Sequence, residues 1–260
     1  MGTEQIVHID TLQLIYAYGL ILLAISLSRI QYFGLGKQLF WSSIRMGLQL
    51  LVVGYILTLI FTVNSPVLVI LMLFIMIGFS MQIAGSRIKK RIPKFYRIVG
   101  ISIIVGCGGA TFYFCLVVVG YSPWYDPRYL IPLAGMIIGN AMNSATLASE
   151  RLSSEIGERE NEIETALCLG ANPKQAVMPA IKSAYIAALI PTINTMAATG
   201  IVALPGMMTG QILSGTVPAI AVRYQIGIMC AITGATAITT FLILVQGYRQ
   251  YFTAAYQLKK

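Results

Sequence analysis

Seven runs of mostly apolar residues dominate this chain: about 11–29, 46–63, 66–86, 98–120, 129–148, 183–203 and 220–246. A helix rising about 1.5 Å per residue needs roughly 20 residues to cross a hydrocarbon core of about 30 Å. Each run therefore reads as a membrane-spanning helix. Lipid offers no water to an unpaired backbone group, so the spanning form for such runs is the helix, which pairs its own backbone. The expected fold is all-α and polytopic, a single transmembrane domain over 1–260 with about seven spans. Composition agrees: 57% of the 260 residues are hydrophobic and 10% are charged, against about 25% charged in a soluble domain. A soluble globular core is excluded. Asn64-Ser65-Pro66 reads as a tight turn between spans. The 121–128 loop, with Tyr121, Trp124 and Tyr125, reads as part of an interfacial aromatic belt.

The distribution of Lys and Arg sets the orientation, because short basic loops stay on the cytoplasmic side. Arg87, Lys89, Lys90, Arg91, Lys94 and Arg97 crowd one loop, which is placed inside. Alternation then puts Arg29, Lys37 and Arg45 inside, followed by Arg151, Arg159, Lys174 and Lys182, and finally Arg249, Lys259 and Lys260. The N-terminus, with Glu4, His8 and Asp10, falls outside and the C-terminus falls in the cytoplasm. Glu4 and Asp10 precede the first apolar run with no basic stretch, so that run does not read as a secretory signal. The net charge of +9 reports topology and contact with anionic membrane lipids, with no nucleic acid as partner. The expected location is the cell (plasma) membrane.

One sizeable soluble piece interrupts the pattern, a cytoplasmic insert over 149–182. It holds six of the nine acidic residues: Glu150, Glu155, Glu158, Glu160, Glu162 and Glu164. Leu152, Ile156, Ile163 and Leu167 fall on one helical stripe, so the fifth span is expected to continue as an amphipathic helix to Gly170. That helix is either a solvated face laced with pairs such as Glu155–Arg159 or a docking surface. Gly170 suits a helix C′ position because it accepts positive φ. Asn172 then caps a new helix with Pro173 at its first position, and Pro179 starts the next span. The product is a compact elbow over 164–179 that can fit a groove on a partner.

Catalytic equipment is missing. No G-x-x-x-x-G-K-[ST] occurs, and Gly34-Leu35-Gly36-Lys37 lacks the spacing and the hydroxyl that follows it. No carboxylate lies in an expected span, and the only His is His8. The chain therefore reads as non-enzymatic, and no metal-ligand set is assigned. Cys107, Cys115, Cys168 and Cys230 show no C-x-x-C spacing; Cys107, Cys115 and Cys230 read as small hydrophobes in apolar runs.

Neutral polar residues and methionines occupy the spans instead. Met136, Asn140, Asn143 and Ser144 share one helix face by spacing. Asn194, Thr195, Met196, Met207 and Met208 lie further on. These groups either glue helices together or line a substrate path. The candidate path comprises Met136, Asn140, Asn143, Asn194, Met207, Met208 and Arg223. Arg223 either snorkels to the interface or faces the exit. Residues 204–222, broken by Pro205-Gly206 and Ser214-Gly215, read as re-entrant or cavity-lining.

Glu164-Thr165-Ala166 followed by Gly170 resembles the E-A-A…G cytoplasmic loop of ABC-transporter permeases, with Thr165 in place of the usual Ala. The blocks 132–142 (PLAGMIIGNAM), 167–176 (LCLGANPKQA) and 204–210 (LPGMMTG), with Arg223-Tyr224-Gln225, resemble the Fet-type iron-export permease family of ABC transporters. That family has plant relatives linked to aluminium tolerance, and the similarity covers essentially the whole chain. The resemblance implies a permease without a cofactor of its own, associated with iron efflux and driven by a separate ATP-binding subunit that holds ATP and Mg. It implies ATPase coupling through Glu164, Ala166, Gly170, Ala171, Pro173 and Gln175. One such elbow per chain implies a permease homodimer with two ATPases. Gly106-x-x-x-Ala110 and Gly135-x-x-x-Gly139 are candidates for the permease–permease contact. The alternatives are an autonomous channel or secondary transporter for a small polar solute, and a membrane enzyme or assembly factor.

Overall fold

The computed structural model describes residues 10–88, 92–253 and 255–259. Glu4, His8, Lys89, Lys90, Arg91 and Lys260, used above for orientation, lie outside the described residues. The chain divides into two compact units, residues 1–64 with 213–215, and residues 65–212 with 216–260.

The first unit is a helical hairpin. Helix α1 (Thr11–Ile30) opens where the Asp10 N–H donates to Gln13 Oε1 at 2.9 Å. Helix α2 (Gly36–Val63) has 28 residues and starts ten positions before the apolar run at 46. The turn between them uses positive φ at Tyr32 and Gly34. Gly47 permits the closest approach: a Cβ there would stand 2.7 Å from the Tyr18 hydroxyl. Most apolar side chains of both helices are exposed, among them Leu20, Leu50 and Tyr55, as lipid-facing helices require.

The second unit holds the core. Helix α3 (Pro66–Arg87) starts with Pro66 at N1, directly after the expected turn, where Asn64 is left-handed at φ 45°. Helix α4 (Phe95–Val119) contains two π-helical stretches, Ile104–Gly108 and Phe114–Val119. Next come α5 (Pro127–Glu158), α6 (Glu160–Cys168), α7 (Pro173–Ala176), α8 (Met178–Ala198), α9 (Gly206–Leu213) and α10 (Pro218–Gly247). Helix α5 packs against α3, α8 and α10 and buries Leu133, Ile137, Ala141, Ala145, Ala148 and Leu152. Small residues on that face let the neighbours come close.

Glycine placement explains the tightest contact and corrects one expectation. At Gly106, in the first π stretch of α4, a Cβ would overlap the Thr239 hydroxyl of α10 and stand 3.0 Å from its backbone nitrogen. Gly106 is therefore spent on packing within one chain, while Ala110 at the other end of the motif is half-buried. Gly135 likewise faces Met76 of α3, with 3.1 Å left for a Cβ, whereas Gly139 has no neighbour within 4 Å.

Six helices among the described residues are long and apolar enough to span a membrane: α1 to α5 and α10. The 183–203 run, expected as a seventh span, is covered to residue 198 by the 21-residue α8, which is not among the six. Lys182, Thr192, Asn194 and Thr195 dilute its apolar character. Helix α5 carries 32 residues, about 48 Å of helix against a hydrocarbon core of about 30 Å. Its final turns, rich in charge, extend well beyond the expected 129–148 span. The 204–222 region contains a short helix, α9, followed by a turn with Gly215 at φ 93°.

Candidate functional site

The elbow lies between α5 and α8, and its shape follows from a few backbone-determining residues. Helix α5 does not run unbroken to Gly170 as expected. Arg159 leaves helical geometry at φ −105°, ψ 20°, closing α5 and opening α6. Leu152 and Ile156 before the bend and Ile163 after it are buried, while Leu167 stays half-exposed. An unbroken helix would have kept all four on one stripe.

Helix α6 ends in a Schellman motif. Gly170, at φ 92°, donates to the Leu167 carbonyl, and Ala171 donates to Ala166, both at 3.0 Å. Asn172 then caps α7 as expected: its Oδ1 accepts from the Gln175 N–H at 2.9 Å, and Gln175 Oε1 accepts from the Asn172 N–H at 3.0 Å. This reciprocal pair satisfies two otherwise orphaned donors. Pro173 occupies N1, where no donor is needed. Buried Val177 ends the turn, and Pro179 sits in the first turn of α8.

Of the six residues assigned to coupling, Gly170 and Gln175 are exposed and Glu164, Ala166, Ala171 and Pro173 are half-buried. They form one continuous surface feature across two capped turns. Leu169 stands at its apex, 83% exposed, an apolar side chain with no cover from its own chain.

The base of the elbow is a network that residue spacing did not reveal. Glu155, 3% exposed, sits between Arg151 at 2.6 Å and Arg159 at 2.8 Å. Its Oε1 also accepts from the Ser183 hydroxyl of α8 at 2.7 Å, and Arg151 Nε donates to Ser183 Oγ at 3.3 Å. The expected pair Glu155–Arg159 exists, but as part of a bridge between α5 and α8. Glu162 continues it outward, 3.4 Å from Arg159. Such charge-assisted bonds hold the two ends of the elbow in fixed register.

The candidate path residues are more dispersed. Met136, Asn140 and Asn143 lie on the accessible face of α5, with Met136 and Asn140 half-buried and Asn143 exposed. Ser144 turns instead to the buried face. The Asn140 amide donates back to the Met136 carbonyl at 2.8 Å. Asn194 is exposed on α8, and Met207 and Met208 are half-buried on α9. No hydrogen bond among the described residues joins these to Asn140 or Asn143. Met196 accepts from Thr233 at 3.1 Å, joining α8 to α10. Arg223 is exposed and lines an open cleft of about 230 Å³ with Phe114, Val118, Val119, Tyr224 and Gly227.

Comparison with known proteins gives this arrangement a family. The chain is 41% identical to the membrane protein slr1647 of Synechocystis over 255 residues, 98% of each chain. It is 34% identical to the probable iron export permease protein FetB of Escherichia coli over 251 residues, 96% of this chain and 95% of that one. It is 35% identical to the protein ALUMINUM SENSITIVE 3 of Arabidopsis thaliana over 239 residues, 92% of this chain and 86% of that one. No solved structure matches. The pattern of one family covers residues 11–252, from the first helix past the last. The chain is a multi-pass membrane protein and belongs to the uncharacterised protein family UPF0014.

Proposed function

We propose that the chain is the permease subunit of an ABC exporter and that a separate ATP-binding subunit docks on the elbow over 164–179. The elbow carries this reading: two capped turns present an uncovered Leu169, while Glu155 and Ser183 brace the helices on either side. A surface built in this way transmits a push on α6–α7 into α5 and α8 together. The similarity to a probable iron export permease supports iron or a related metal species as cargo. Hydrolysis of ATP, with Mg, belongs to the partner chain, and two permeases pair with two such partners in the plasma membrane.

The accessible face of α5 supports the pairing. Asn143 is exposed within the expected 129–148 span of α5, and an amide turned to hydrocarbon is costly. A second copy, or a path between two copies, removes that cost. In this reading α8 is the seventh span, tolerating Asn194 because it too faces the path. Asn140, Asn143 and Asn194 are neutral amides, and with Arg223 the only charged member of the path, they suit a chelated metal better than a bare cation.

Purification of the tagged chain from its native host in mild detergent tests the docking. The expected result is a stoichiometric ATP-binding protein that is lost with Gly170→Arg, a substitution at positive φ with open space around it. A chain that purifies alone and still transports in ATP-free liposomes would overturn the reading. Vesicle uptake with free and chelated iron tests the cargo, and faster movement of the free ion counts against the neutral path.

A further inference from the structure

Two cations of the helical hairpin meet no carboxylate among the described residues. Lys37 and Arg45 are exposed and make no ion pair among the described residues. No Asp or Glu occurs in the sequence between Asp10 and Asp126. With Trp41 between them, the two cations follow i, i+4, i+8 spacing along one face of α2. Gly34, Gln38 and Ser42 complete a shallow open groove of about 430 Å³ around them. Gly34 and Lys37, the ends of the Gly34-Leu35-Gly36-Lys37 stretch that cannot hold a nucleotide as a P-loop does, both line it.

The groove also has a definite depth. Helix α2 has 28 residues, and no charged residue occurs from Met46 to its end at Val63. Those later turns fill the hydrocarbon, so residues 36–45 stand at headgroup level. Trp41, 60% exposed, is a residue type that prefers that level. No side chain caps the start of α2 and no acidic residue lies in its first turn, so the positive end of the helix adds to the field of Lys37. The same face continues into the membrane with exposed Leu48 and Val52.

We propose that this groove binds the headgroup of an anionic phospholipid. The phosphate lies between Lys37 and Arg45, Gln38 and Ser42 donate hydrogen bonds to it, and Trp41 packs against the headgroup. An acyl chain runs down over Leu48 and Val52. A small soluble anion gains little from so open a groove, whereas a lipid is held there by both of its ends.

Native mass spectrometry of the full-length chain, titrated in detergent with phosphatidylglycerol or phosphatidylcholine, tests this without reference to transport. The wild-type chain should retain phosphatidylglycerol in preference. Lys37→Gln with Arg45→Gln should weaken that retention about 30-fold, the loss expected for two cations near an anionic surface. Lys37→Arg with Arg45→Lys should preserve it, as should the charge-matched pair Lys174→Gln with Lys182→Gln. Equal retention of both lipids by the wild type overturns the proposal. So does undiminished retention in the Gln pair, an equal loss in the Lys174/Lys182 pair, or displacement of the lipid by inorganic phosphate.

Discussion

The elbow and the middle of α5 obey different rules. At the elbow, the polar groups that shape the turns are answered within the chain: Asn172 by Gln175, the last carbonyls of α6 by Gly170 and Ala171, Glu155 by two arginines and Ser183. Halfway along the helix, Asn143 is exposed without such a partner, and Gly139 leaves open space beside it. A surface that satisfies itself keeps its shape before a partner arrives. A surface that does not is completed by something outside the chain. The elbow thus holds its shape by itself, as the proposed docking requires, whereas the middle of α5 does not satisfy its own polar group.

Removing the brace is the strongest way to break this contrast. Glu155→Ala strands Arg151 and Arg159 and cuts the bond to Ser183. Loss of one partner from a buried pair costs about 3–5 kcal/mol, and because both arginines are partly hydrated the expected loss here is about 2–3 kcal/mol. Thermal unfolding in detergent measures it. Ser183→Ala should cost about 1 kcal/mol, as one hydrogen bond does. A double-mutant cycle should show coupling between the two positions, and strict additivity would dissolve the bridge as a unit.

Gly170→Ala comes next. Its Cβ meets no neighbour, so the penalty is purely conformational, about 1–2 kcal/mol for a side chain held in the left-handed region. Because the strain sits in the elbow alone, partner capture should fall more than thermal stability does. Equal losses in both would mean that the elbow is structural rather than a docking surface.

These residues also mark how far the sequence could be read. Gly170, Asn172 and Pro173 act on their own or adjacent turns, so their roles were legible from identity and order. The apolar runs placed most spans for the same reason, since membrane thickness fixes their length. The Glu155–Ser183 bridge was not legible, because helical spacing explains Glu155–Arg159 completely and says nothing of a hydroxyl 28 positions away. Gly106 misled for a related reason. A small-residue motif announces a close contact without naming the partner, and the partner is Thr239 of the same chain. The early start of α2 was hidden too, since its first ten residues are polar enough to resemble a loop yet helical enough to extend a span.

Asn172→Ala sharpens the comparison from the local side. It removes the cap but leaves Pro173 and Gly170 in place, so the expected cost is about 1 kcal/mol. The effect should appear as faster amide exchange confined to α7, and a spread into α5 or α8 would show that the elbow is not an independent unit.

The smallest stability change should come from the other surface. Asn143 is exposed and makes no described hydrogen bond, so Asn143→Leu should shift the stability of a single chain by less than about 0.5 kcal/mol. Its effect should instead appear where the chain meets its surroundings. If α5 faces a second copy or a path, leucine removes the amide that this environment accepts, and ATP-driven transport in liposomes should fall while partner capture at the elbow stays intact. If α5 faces lipid, leucine replaces a costly group with a favourable one, and the variant should be more stable in the bilayer and fully active. Measuring transport and bilayer stability on the same variant separates these cases, because a polar residue that is silent in one chain but required in the assembly can owe its place only to what lies beyond that chain.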